Sequence, residues 1–109
     1  MTDKRLILST CGSREQAIRI ARTLVDKQMA ACVNIVGPVE SIYRWKHKVE
    51  TAQEYLLLVK TTAENFERLS AEIRRLHTYQ LPEILEFKVE SGLEAYLDWI
   101  ADSVTGTQP

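Results

Sequence analysis

Four side chains offer soft or titratable chemistry: Cys11, Cys32, His47 and His77. A metal centre written within one chain needs cysteines and histidines at short, repeated spacings. No Cys-x-x-Cys pair occurs, and neither cysteine has a histidine at chelating distance along the chain. Cys11 lies just before a helix start, where the dipole favours thiolate, whereas Cys32 reads first as a small buried hydrophobe. His47 falls at a hairpin tip and reads as a solvated side chain. His77 closes a helix, a place where the dipole stabilises imidazolium. It also opens the run His77-Thr78-Tyr79-Gln80-Leu81-Pro82-Glu83, which sets an imidazole, a phenol and a carboxylate on one stiff loop.

Tyr43 and Trp45 alternate along a strand and so share a face. They suit a stacked pocket or, more simply, packing across a subunit boundary. Tyr96 and Trp99 fall on the last helix. Lys60-Thr61-Thr62 closes an apolar strand at a helix start, where a lysine and free amides favour an anion. No glycine-rich phosphate loop accompanies it. Nucleophile elbows, Ser-His-Asp spacings and paired acid/base carboxylates are lacking, so the sequence does not read as an enzyme.

These residues are carried by a regular succession of elements. Arg5 to Thr10 is a short β-prone run. Ser13 and Gln16 have capping-box spacing, and Ala17, Ile18, Ile20, Ala21, Leu24 and Val25 then line one side of a helix reaching about Gln28. Ala31 to Lys46 has strand composition interrupted only by Gly37-Pro38, which marks a bulge, a kink or an edge position. Lys46-His47-Lys48 is the expected tip, with the return strand beginning at Val49. Glu54 to Thr61 contains a run that is apolar on both faces, as in a strand buried in mid-sheet. Thr61 and Glu64 repeat the capping-box spacing ahead of Phe66, Leu69, Ile73 and Leu76. Ile84 to Glu90 alternates Leu85, Phe87 and Val89 with Glu86, Lys88 and Glu90, giving one dry and one wet face, or one face reserved for a partner. A last helix carries Leu93, Tyr96, Leu97 and Ile100. The order predicts an α+β, ferredoxin-like βαββαβ sandwich with an extra C-terminal helix and a long hairpin between the second and third strands. Residues 1–102 form its single domain, and 103–109 a flexible tail.

Composition bounds the partners. A chain of 109 residues, 45% hydrophobic, supports one core and no separate catalytic domain. Fourteen Lys and Arg against 15 Asp and Glu provide no basic field for a phosphate backbone, so no nucleic acid is expected. No window approaches the ~20 apolar residues of a membrane span, and Leu6 to Leu8 are too few for a signal-peptide core. Two cysteines fit a reduced, cytoplasmic protein. The sixteen residues from Ala31 to Lys46 would extend ~53 Å at ~3.3 Å each. A compact domain of this size is only about 34 Å across. The hairpin must bend at Gly37-Pro38 or reach beyond its own domain, and an apolar hairpin in solvent is an aggregation hazard. A homo-oligomer resolves both.

Five strings then coincide in order: Ala30-Ala31-Cys32-Val33-Asn34-Ile35, Ser41-Ile42-Tyr43-Arg44-Trp45, Lys60-Thr61-Thr62, Leu81-Pro82-Glu83-Ile84 and Tyr96-Leu97-Asp98-Trp99-Ile100. Together they resemble the CutA family of divalent-cation tolerance proteins, from about Leu6 to Ile100. The resemblance implies a tight homotrimer whose long hairpins pair between subunits. It also implies a cytoplasmic role in tolerance of copper and other divalent metals, and no established catalysis. Cys32 and His77 occupy family-typical positions for metal ligands. Thr78 stands where the family usually has proline, His47 where it has a tip glycine, and Gly12 where proline is common.

The first expectation is therefore a homotrimer that holds copper or another divalent metal through Cys32 and His77, at a site that draws on a subunit boundary or binds only weakly, with no organic cofactor. Soft thiolate and imidazole ligands suit copper better than magnesium or calcium. The alternative is a trimer similar to the PII signalling proteins, with a small anionic ligand between subunits. Tyr43, Lys60, Glu83 and Trp99 would line that site, Thr61 and Thr62 would add hydroxyls, and Trp45, Tyr79 and Tyr96 complete the candidate set. An acylphosphatase-like enzyme on the same fold lacks the required glycine-rich loop with arginine.

Overall fold

In the computed structural model, which describes residues 2–105, the chain runs β1 (Lys4–Cys11), α1 (Arg14–Asp26), β2 (Cys32–Trp45), β3 (Lys48–Thr62), α2 (Phe66–Leu76), β4 (Ile84–Lys88) and α3 (Glu94–Thr105). The strands form one antiparallel sheet in the order β2-β3-β1-β4. This is the α+β, βαββαβ-plus-helix order read from the sequence. Ser13 caps α1 as its spacing predicts, its Oγ accepting from the Gln16 amide at 3.1 Å. The helix ends at Asp26, and Gln28 turns left-handed (φ 57°) before β2.

The second capping box does not form. Thr61 is still inside β3, fully buried, and its hydroxyl donates to the Met29 carbonyl at 2.6 Å. A side chain committed to the core cannot cap a helix that begins only at Phe66, after a single tight turn at Ala63–Asn65.

Register sorts the side chains between two faces. Ile7, Ser9 and Cys11 pair with Val59, Leu57 and Tyr55, while Val33 and Ile35 pair with Val59 and Leu57. That face meets Ile20 and Leu24 of α1 and Leu69 and Ile73 of α2 in one core. Glu72 ties the two helices on the outside, accepting from Arg75 Nη2 at 2.6 Å and Lys27 Nζ at 2.8 Å. Those hydrogen bonds, Arg75 first, hold its carboxyl down to about 2.

The opposite face is apolar too. Leu6, Leu8, Leu56 and Leu58 share it with Leu85 and Phe87 of β4. The alternation expected in β4 is present as far as Lys88, and its apolar side is the open one: Leu85 and Phe87 are each 48% exposed. Glu86 instead lies on the face of Ile7, where Arg5 Nε meets its carboxylate at 3.3 Å. The third helix packs on β3 and β1 through a separate cluster of Ala31, Ile100 and Val104, and leaves Leu85 and Phe87 uncovered. It continues helical to Thr105, past the tail boundary expected after residue 102; residues 106–109 lie outside the described residues.

The hairpin both bulges and extends. Pairing runs out to Trp45 and Lys48, with one register shift between Val36 and Val39 around the cis Gly37-Pro38 peptide. A Cβ on Gly37 would sit 2.7 Å from the Tyr55 ring, so only glycine fits the bulge. The molecule measures 46 × 26 × 23 Å, and its radius of gyration of 14.5 Å exceeds the roughly 13 Å of a compact chain of this length. At the tip, Lys46 (φ 49°) and His47 (φ 70°) make a two-residue turn with both residues left-handed, a geometry that favours Asn-Gly. His47 therefore carries backbone strain that glycine would not. The substitution His47→Gly is expected to stabilise the protein by about 1 kcal/mol, seen as a raised thermal midpoint; a lowered midpoint would contradict the assignment.

Candidate functional site

A concavity opens where the hairpin leaves the domain. Its walls are the distal part of β2 from Ser41 to Trp45, Glu54 of β3, Thr10 at the end of β1, and the loop between α2 and β4 from Thr78 to Glu83, enclosing about 790 Å³. Thr10 pairs with Leu56, so this cleft continues the open face of the sheet.

His77 builds the loop rather than the cleft wall. Its Nε2 donates to the Thr10 carbonyl at 2.6 Å, and its Nδ1 accepts from the Tyr79 amide at 3.1 Å. With Nε2 as donor and Nδ1 as acceptor, both ring nitrogens are committed to the backbone around the loop. The ring also packs on Tyr79, centroids 4.7 Å apart. The rigidity expected from a proline at position 78 is supplied instead by these two hydrogen bonds. Tyr79 then delivers its hydroxyl to Glu54 Oε2 at 2.7 Å. Burial, and next the Glu54 carboxylate, push the phenol far above its ordinary range. The hydroxyl also lies 3.2 Å from where a Cβ on Gly12 would stand, so Gly12 leaves it room. On the far side Thr10 Oγ1 donates to Glu83 Oε1 at 3.4 Å.

The candidate residues thus fall in three places. Tyr43, Trp45, Tyr79 and Glu83 share the cleft. Lys60 is elsewhere, opposite Cys32 in the β2–β3 ladder, donating to Asn34 Oδ1 and lying 3.9 Å from Cys32 Sγ. Of the two threonines beside it, Thr61 donates its hydroxyl to the Met29 carbonyl, and Thr62 Oγ1 accepts from Asn65 Nδ2 at 2.9 Å. Tyr96 and Trp99 stack on each other along α3, 5.4 Å apart, away from the cleft. The anion site expected from Tyr43, Lys60, Glu83 and Trp99 is therefore not assembled within one chain.

The expected metal pair is also divided. Cys32 stands opposite Lys60, whereas His77 is anchored to Thr10, whose partner is Leu56. Two strand spacings and four residues separate these points, about 16 Å by sheet geometry. Metal–sulfur and metal–nitrogen bonds are on the order of 2 Å. Both ring nitrogens of His77 are engaged as well, so Cys32 and His77 of one chain do not fit a shared copper ion. Among the described residues no group of three or more His, Cys, Asp or Glu side chains is placed to hold a metal. Cys11 is fully buried, its thiol directed at the Ser13 and Tyr55 carbonyls, and burial pushes the thiol up. The helix-start argument for a thiolate there is overridden by desolvation. Cys32 is half-buried and, by register, lies on the open face with Lys60 and Leu6. His47 is exposed at the tip.

Glu54 is the residue that the sequence reading missed. It begins a run read only as a strand, yet its position two residues before Leu56 puts it on the open face as the lone acid beside an apolar stretch. That parity was the available signal.

A split βαββαβ chain with one uncovered apolar sheet face and an overlong hairpin is a recognisable class of small α+β domain. Residues 5–103 match the family model described as CutA1 divalent ion tolerance protein. The divalent-cation tolerance protein CutA of Thermus thermophilus is 44% identical over 92% of this chain and 97% of its own length. That of Archaeoglobus fulgidus is 42% identical over 90% and 95%. The crystal structure of CutA from Xylella fastidiosa superposes with a TM-score of 0.93 at 41% identity, covering 94% of this chain and 99% of that one. The chain belongs to the CutA1 divalent ion tolerance family.

Proposed function

We propose that the chain works in divalent-cation tolerance as a cytoplasmic homotrimer that holds copper or another divalent ion weakly, through Cys32. The observation that carries the assembly is the open sheet face. Leu85 and Phe87 stand half-exposed beside Leu6, Leu8, Leu56 and Leu58, next to a hairpin whose Ile42 and Val49 are 70% and 64% exposed. A continuous apolar surface of this kind marks an interface, and three copies is the number that the family resemblance implies.

The metal reading rests on Cys32 because it is the more accessible of the two thiols and sits on the face that a second copy would cover. One chain supplies a single soft ligand there, so a full site draws on a neighbouring chain, which agrees with weak binding. His77 is a structural residue in this reading. Calorimetric titration with Cu(II) is expected to give a weak isotherm that is lost in Cys32→Ala and retained in His77→Ala. Binding that survives the loss of Cys32 would refute the assignment.

A further inference from the structure

Glu54 is 7% exposed, and its one hydrogen bond among the described residues comes from the Tyr79 hydroxyl. None of the ion pairs among the described residues includes it. A buried carboxylate held only by a neutral donor is costly unless a cation completes it. By parity with Leu56 and Leu58 it stands on the open sheet face, which another copy covers in the proposed assembly. The matching surface lies on the other side of the hairpin. Val49 has the parity of Leu57, and Ile42 and Arg44 share its face, with Arg44 directly opposite Val49. Ile42, Val49 and Arg44 are all exposed, and Arg44 makes none of the ion pairs. An arginine between two exposed apolar side chains gains from burial only where its charge is met. The other hairpin cations are placed less well: Lys48 is opposite Trp45 on the face of Glu54, and Lys46 sits in the turn.

Within one chain the two surfaces cannot meet. Glu54 pairs with Val39, five residues before Arg44, which is about 16 Å along the strand, and the two side chains point to opposite faces. Two copies with their open faces together would set carboxylate against carboxylate and leave both arginines outside. Only a head-to-tail contact joins arginine to carboxylate, and contacts of that type close into rings or run on as filaments.

We infer that Arg44 of one copy supplies the counter-charge of Glu54 in the next, with Ile42 and Val49 packed beside it on the open face. In a ring of three, each chain then gives one arginine and receives one. This pairing rests on the proposed homotrimer and is independent of Cys32 and of copper.

Subunit exchange between unlabelled and ¹⁵N-labelled copies of the full chain, followed by native mass spectrometry, tests the inference. Arg44→Ala should speed exchange about tenfold or more, because truncating one member of a buried charge pair acts on dissociation. Lys46→Gln, on the same hairpin but outside the contact, should leave the rate within about twofold. Glu54→Gln keeps an acceptor for Tyr79 and should also speed exchange, and Arg44→Ala added to it should then change the rate little. Arg44→Glu, on the exposed hairpin where folding is not at stake, should give single chains. Equal acceleration by Arg44→Ala with and without Glu54, or a three-chain mass that survives Arg44→Glu, would overturn the pairing and leave the trimer standing. A single-chain mass for the natural sequence would overturn both.

Discussion

Replacing Phe87 with glutamate is expected to split the assembly into single chains while leaving each chain folded. Phe87 is half-exposed in one subunit and pairs with Leu6 on the open side of the sheet, away from the helices. Burying such a ring contributes about 2 kcal/mol, and a trimer would lose it three times over. A carboxylate introduced on the same face adds a desolvation cost of several kcal/mol per copy. The core beneath is untouched, because Ile7, Leu57 and Val59 point to the opposite face. Sedimentation velocity should therefore report a three-chain species for the natural sequence and a folded single chain for Phe87→Glu. An unchanged sedimentation coefficient would remove the open face from the interface.

Leu57→Ala should produce the largest loss of stability, about 2–5 kcal/mol. Leu57 is completely buried and contacts both flanking strands, pairing with Ser9 and Ile35. Truncation leaves a cavity between sheet and helices that the helices cannot close without abandoning Leu69 and Ile73. Its neighbour Leu58 offers an internal control. It lies on the other face, partly exposed, opposite Leu8 and Asn34. Leu58→Ala should cost less in the folding of one chain and act mainly on self-association. Chemical denaturation at fixed protein concentration, needed because association couples to stability, distinguishes the two. Equal losses would deny the separation into a helix face and an assembly face.

Much of this two-faced architecture was legible in the sequence. Local signals set α1: the Ser13–Gln16 cap forms as its spacing demands, and the apolar stripe meets the sheet. The hairpin followed from strand composition on either side of Lys46-His47-Lys48 and its reach from length, while Gly37-Pro38 marked a bulge, a kink or an edge position, of which the bulge is present. Which side of β4 faces the helices was not legible. Alternation specifies two faces without ordering them, and the pairing of Glu86 with Ile7 decides it. Thr61 misled because a capping box and a buried threonine share one sequence pattern; the Met29 carbonyl that claims its hydroxyl comes from a distant connection. The site was legible only in part. Tyr43, Trp45, Tyr79 and Glu83 converge because the hairpin and the loop are both long enough to meet. Only the family resemblance paired Cys32 with His77; within one chain sheet register holds them apart, and no spacing rule reports on register between strands.

The trimer and the role of Cys32 meet in one measurement: native mass spectrometry of the full chain with copper added in stoichiometric amount. A three-chain mass carrying copper is expected, with the copper lost in Cys32→Ala and kept in His77→Ala. A single-chain mass, or copper that follows His77 rather than Cys32, would contradict it.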